Sequence, residues 1–144
     1  MYLNDLVNRG NIAVLEKMMA YAEARHMVLA ENIANIDTPD YKVKQLDPKL
    51  FQQTLRQAID DRGSDPTKRL ILGGNDEFHT DDRGSLVVTP ATEPAHNILF
   101  HDRTNARVEV LMSQLAENFM AYNMVSQMLK NSFDGLKTAI RGQV

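Results

Sequence analysis

The chain has 144 residues, a formal net charge of −3, 43% hydrophobic and 24% charged residues, which fits one domain with a small insertion. Its 16 Lys and Arg residues are scattered rather than clustered, which argues against a nucleic-acid surface, since phosphate binding needs grouped basic side chains. There is no cysteine, which excludes a disulfide scaffold, a thiolate metal site and a cysteine nucleophile.

The start, "MYLNDLVNRG", lacks a basic stretch followed by a long apolar core, so no cleavable secretory signal is expected. The longest apolar run is Met18–Ala22, far short of the roughly 20 residues of a membrane-spanning helix. From about Asn11 to Ile36 the apolar positions Leu15, Met19, Ala22, His26, Leu29, Ile33 and Ile36 alternate in steps of four and three. That heptad spacing predicts an amphipathic helix with a seam for a partner helix. Asn11 is its expected N-cap. The helix must stop before Pro39, because the ring disfavours the α region for Thr38 and removes a donor. Asn35 and Asp37 suit the turn that follows, and Tyr41 offers a ring with a polar tip.

The stretch "LDPKLFQQTLRQAIDDRG" predicts a short helix capped by Asp47, with Pro48 in the first turn, Leu46 and Phe51 as a hydrophobic staple, and Gly63 as the stop. Beyond it the sequence is rich in Gly, Pro, Asp, Ser and Thr and reads as loops. Within it "SLVVT" and "HNILFH" are short enough for edge strands or extended links. A second long helix is predicted from about Asn105 to Ile140, capped by Thr104. Its seam is Val108, Met112, Leu115, Phe119, Tyr122, Ser126, Leu129, Phe133, Leu136 and Ile140. At 1.5 Å per residue it would be about 50 Å long. The expected fold is therefore mainly α, with long terminal helices. The expected segments are 1–42, an irregular middle module 43–104, and 105–144.

"LAENIANIDTPDYK", Leu29–Lys42, resembles the signature near the N-terminus of bacterial flagellar rod and hook proteins, Asn-Ile-Ala-Asn, two residues, then Thr-Pro-Gly-Tyr-Lys. Asn32, Ile33, Ala34, Asn35, Thr38, Pro39, Tyr41 and Lys42 carry it. The tetrapeptide "LAEN" returns at Leu115–Asn118. The length, the Phe51–Ile59 stretch and the C-terminal Ala116, Asn118, Tyr122, Phe133, Leu136, Lys137, Ala139 and Ile140 look most like proximal-rod subunits of the FlgB type. The family's glycine is Asp40 here, and Arg107 stands where it tends to have an acidic residue, against the helix dipole.

The resemblance implies that the terminal helices pair as a coiled coil and build a helical array. It also implies other rod subunits and the membrane-ring junction as partners, a place in the periplasmic rod, and export without a cleaved signal. Neither catalysis nor a cofactor is expected. The acidic stretch "NDEFHTDD" has no metal-ligand spacing, and no Gly-x-Ser-x-Gly elbow or phosphate loop occurs. Two rival functions compete with this one: a helical adaptor using the same seams, and a small metal-dependent hydrolase using His79 and the acidic loop.

Overall fold

Three helices and two small strand pairs make up the computed structural model, which describes residues 11–63, 65, 68–73, 75–92 and 103–142, without the side chains of 103–106. The elements are α1 (Ile12–Ala34), β1 (Lys44–Gln45), α2 (Pro48–Arg62), β2 (Phe78–Thr80), β3 (Leu86–Val88), β4 (Ala91–Thr92) and α3 (Arg103–Arg141). The "HNILFH" stretch lies outside the described residues. Thr104 is not the cap of the last helix as expected: it stands inside α3, which already includes Arg103.

α2 starts and stops where local chemistry directs. Asp47 Oδ1 accepts from the Lys49 N–H at 2.8 Å, Pro48 fills a position that needs no donor, and Gly63 ends the helix at φ 60°. Leu46 and Phe51 are both buried, as a hydrophobic staple requires. α1 is capped differently from the expectation: Asn11 is the N-cap, but its side chain makes no capping bond and its backbone has an α conformation. An N-cap side chain reaches the next N–H groups from an extended backbone, so the αR geometry at Asn11 removes that contact.

α1 serves two neighbours at once. Tyr21 and Val28 join Leu46, Phe51, Leu55, Ala58, Leu70, Leu72 and Phe78 in one core, with Ala13, Val14 and Met18 packed against it. Leu15, Ala22 and Leu29 are buried outside that cluster, on the face turned to α3. Ile12, Ala13, Val14 and Met18 fall outside the predicted seam, yet they are not left for other molecules: Ile12 is buried and the other three pack on the middle module. α3 runs antiparallel to α1, since Asn118 meets Ala22 while Leu111 and Gln114 lie beside Leu29 and Asn32.

β2 and β3 form an antiparallel hairpin with Phe78 opposite Val88 and Thr80 opposite Leu86. The acidic stretch supplies β2 itself, and its last two residues open the turn: the Ser85 N–H donates to Asp81 Oδ1 at 2.6 Å, and Gly84 takes φ 88°. β1 pairs with β4, Lys44 opposite Thr92, so a strand leaving α1 is tied to the far end of the module. Lys17, buried on α1, donates from Nζ to the Gly84 carbonyl. Burial depresses its pKa, against the pull of Asp81.

The module core is built on an aromatic triad. Tyr21 stacks on Phe51 at 4.0 Å between centroids, and Phe78 meets both edge-on, at 5.7 and 5.4 Å. The Tyr21 hydroxyl is buried with no hydrogen-bond partner. Burial pushes its pKa from 10.0 up to about 12. Tyr21→Phe is therefore expected to stabilise the subunit by about 1 kcal/mol near neutral pH, by removing a desolvated hydroxyl. The sign at alkaline pH follows from linkage: above pH 10 the unfolded chain ionises this phenol and the folded one does not, so stability falls between pH 10 and about 12. The variant should lose that contribution. Urea unfolding at pH 7 and pH 11 reads both effects.

Candidate functional site

The signature turn is held by its own side chains. α1 ends at Asn35, whose N–H bonds the Glu31 carbonyl at 3.1 Å and whose Nδ2 bonds the same oxygen at 2.9 Å. The Thr38 N–H donates to the Asn35 carbonyl at 3.0 Å, which closes the turn before Pro39. Asn32 lies one helical turn back and is only 4% exposed. Its Nδ2 donates to the Lys44 carbonyl at 2.7 Å, and its Oδ1 accepts from the Lys44 N–H at 3.0 Å and from the Tyr41 hydroxyl at 3.1 Å. The amide thus pairs with Lys44 as a strand residue would, and fixes the point where the chain enters β1. Outside this clasp Lys44 Nζ meets Glu31 Oε1 at 2.6 Å. That bond holds the Lys44 pKa above its usual value. Burial, with Glu31 nearby, raises that of Tyr41.

The signature therefore divides. Asn32 is buried and Ile33, Asn35 and Tyr41 are half-buried, whereas Ala34, Thr38, Pro39 and Lys42 face solvent. Asp40 takes φ 59°, the one described non-glycine residue with positive φ. This accounts for a glycine at that place in the signature, and Asp is among the few side chains that tolerate the geometry. Asp40→Gly is expected to change stability by less than about 1 kcal/mol, because relief of left-handed strain is offset by a more flexible unfolded chain. The urea midpoint checks it. A large loss would mean that the Asp40 carboxylate has a role beyond the turn.

The C-terminal helix presents a different row to α1 from the one expected. Its sheltered positions are Val108, Leu111, Gln114, Leu115, Asn118, Tyr122, Val125, Ser126, Leu129, Ser132 and Leu136. Val108, Leu115, Tyr122, Ser126, Leu129 and Leu136 are common to both rows. Between them Leu111, Asn118 and Val125 turn inward, and Met112 and Phe119 stay 52% and 56% exposed. The cause is Asn118, which is 2% exposed and donates from Nδ2 to the Ala22 carbonyl at 2.8 Å. Facing the small Ala22 lets the amide reach the α1 backbone. Phe133 and Ile140 are 36% and 65% exposed, and Ser126 is half-buried. On α1, Leu15, Ala22 and Leu29 are buried, Met19, Ile33 and Ile36 are half-buried, and His26 is exposed.

The outward face of α3 lies off the predicted seam. Met120, Met124 and Met128 follow one another in steps of four and are 71%, 62% and 44% exposed. Between Glu117 and Lys130 the helix has no charged residue on any side. A helix stretch without charge can be covered by a neighbour without burying an ion. The sequence marks this face twice, by methionines that fall off the four-three seam and by the uncharged run. Beside it, α1 and α3 leave a groove of about 390 Å³ lined by Ala22, Glu23, His26, Met27, Asn118, Phe119 and Tyr122. A second groove of about 450 Å³ lies between β1 and the start of α3, with Arg25 and Arg107 among its lining residues.

The metal site that the hydrolase reading needs is not formed among the described residues. No group of three His, Cys, Asp or Glu side chains there is placed to hold a metal ion. His79 is exposed on β2, while Asp81 is spent on the hairpin turn. No described helix is long and apolar enough to cross a membrane.

Comparison with known proteins gives a consistent set of relatives. The flagellar basal body rod protein FlgB of Bacillus subtilis (strain 168) is 31% identical over 138 residues, 92% of this chain and 95% of the relative. FlgB of Borrelia hermsii is 29% identical over 121 residues, 81% of this chain and 85% of the relative. FlgB of Cereibacter sphaeroides is 26% identical over 136 residues, 94% of this chain and 97% of the relative. No family model matches the chain, and no solved structure does.

Proposed function

The chain belongs to the FlgB family of flagellar basal body rod proteins, and on that premise we propose that it is a structural subunit of the proximal rod. Its work is packing. The terminal segments, 1–42 and 105–144, form one coiled-coil domain, and the module 43–104 is carried between them. Subunits join one another and other rod proteins in a helical array, reach the membrane-ring junction at one end, and pass torque along the rod. The subunit is exported to the periplasm without a cleaved signal.

One observation carries this reading: the charge-free stretch of α3 whose methionines stand exposed in the single subunit. Burying apolar surface contributes about 25 cal/mol per Å², and here that gain is left for contacts beyond the subunit. Unpaired apolar faces that do not close on themselves give open filaments. The rod signature Asn32–Lys42 has a different part in this account. Its clasp sets the angle at which the middle module leaves the α1–α3 pair.

The test is genetic and biochemical. Deleting the gene from its bacterium should leave cells without a rod and unable to swim, and the intact gene should restore both. Basal bodies purified from restored cells should contain the chain on an immunoblot. Swimming cells in the deletion strain, or basal bodies free of the chain, would sink the proposal.

A further inference from the structure

We infer that the methionine ridge of one copy seats in the α1–α3 groove of a second copy, so that copies of this chain join head to tail. The inference rests on the reading of the chain as a rod subunit and names the partner of its exposed face.

Steps of four residues bring Met120, Met124 and Met128 into one row, with a rise of about 6 Å between neighbours. Rows of this kind are the ridges that helices lay into each other's grooves. The groove of about 390 Å³ has Ala22 and Tyr122 along its base, with Met27 and Phe119 beside them. Met27 is 65% exposed and Phe119 56%, so its walls are as unsatisfied as the ridge. Asn118, also in the lining, already spends Nδ2 on the Ala22 carbonyl. Long, unbranched thioether side chains fill an irregular apolar gap of this sort better than branched ones.

Charge favours the same match. The ridge lies in the stretch between Glu117 and Lys130 that has no ionised group, so docking it buries no ion. Glu23 and His26 of the groove are exposed and keep their polar ends at its rim. Geometry then fixes the kind of contact. At about 100° per residue, Phe119 and Met124 point some 140° apart around α3. A copy that gives its ridge still has its own groove free. A reciprocal twofold pair would need ridge and groove to face the same way, and at that angle they do not, so ridge in groove repeats from copy to copy without closing.

The absence of cysteine makes the contact readable by crosslinking. Met27→Cys and Met124→Cys are expressed separately and together in the bacterium deleted for the gene, and basal bodies are oxidised and run without reductant. Both positions are exposed, so the fold is expected to tolerate them. If either variant fails to restore swimming, Phe119→Cys and Met120→Cys read the same contact. The expected result is a dimer band from the mixed strain and none from either single strain. A dimer from Met124→Cys alone means ridge on ridge and overturns the inference. Swimming cells whose basal bodies contain both variants yet give no dimer also overturn it, because the ridge then faces another rod protein. That last outcome leaves the rod assignment standing. Absence of the wild-type chain from basal bodies would remove the assignment itself.

Discussion

Replacing Asn32 by Asp is expected to cost the subunit about 3 kcal/mol of folding free energy, read as a lower urea midpoint with an unchanged slope. The side chain is 4% exposed and serves one residue from both of its polar ends. Nδ2 gives its proton to the Lys44 carbonyl at 2.7 Å, and Oδ1 takes one from the Lys44 N–H at 3.0 Å. Asp has the same shape and keeps the Oδ1 bonds. It puts an oxygen where Nδ2 was, so an acceptor faces an acceptor at a place closed to water. The effect travels beyond the turn. Lys44 is paired with Thr92 and Gln45 with Ala91, and Leu46 goes directly into the module core. Loosening Lys44 therefore loosens the entry of the chain into that core. Tyr41→Phe is the control. It removes one bond to Oδ1 from a half-buried ring and leaves both Lys44 contacts in place, so it should cost no more than about 1 kcal/mol. Equal losses from the two changes would mean that the tyrosine, not the amide, holds the turn.

Asn32 also marks how far the sequence could be read. Its place was legible from the order of residues around Pro39, but a polar residue beside a seam gave no sign of its partner. That partner is a backbone twelve residues ahead, which no period reports. The second "LAEN" behaves the same way. Leu29 is buried and Leu115 half-buried, and both are seam residues. Asn32 and Asn118 are buried as well, each donating to a main-chain carbonyl. The expected row on α3 followed a strict four-three count, which steps from Leu115 to Phe119 and passes beside Asn118. The choice between Asn118 and Phe119 was decided by the Ala22 carbonyl, a feature of the neighbouring helix. Helix α2 needed no such help, because Asp47, Pro48 and Gly63 act within a few residues of themselves. The hairpin was legible only in part: "SLVVT" had a strand's composition, but its partner Phe78–Thr80 sat in a loop-like stretch of Asp, His and Thr.

Two substitutions are expected to abolish swimming for opposite reasons. Leu29 is 5% exposed on the α1 face turned to α3. Leu29→Asp puts an unpaired carboxylate there and should cost about 3–5 kcal/mol. That is comparable to the whole stability of a small domain, so the chain should be lost to unfolding before it reaches a rod. Leu115→Asp is milder for the fold, because Leu115 is only half-buried. Neither tells packing within a subunit from packing between subunits. Met124→Glu does. The side chain is 62% exposed, so the isolated subunit should keep its urea midpoint within about 0.5 kcal/mol. In the assembly the new carboxylate would lie in a stretch with no charged residue from Asn118 to Leu129. Desolvating it there costs several kcal/mol, and each 1.4 kcal/mol is a tenfold loss in association. The variant should be abundant and folded in cell extracts, absent from basal bodies, and unable to restore swimming. Met124→Gln, of the same shape without the charge, should restore most of it. Entry of Met124→Glu into basal bodies at the normal level would mean that the ridge faces water in the rod. The assembly contact would then have to be sought on the other flank of α3, around Met112 and Phe119, where exposed apolar surface also remains.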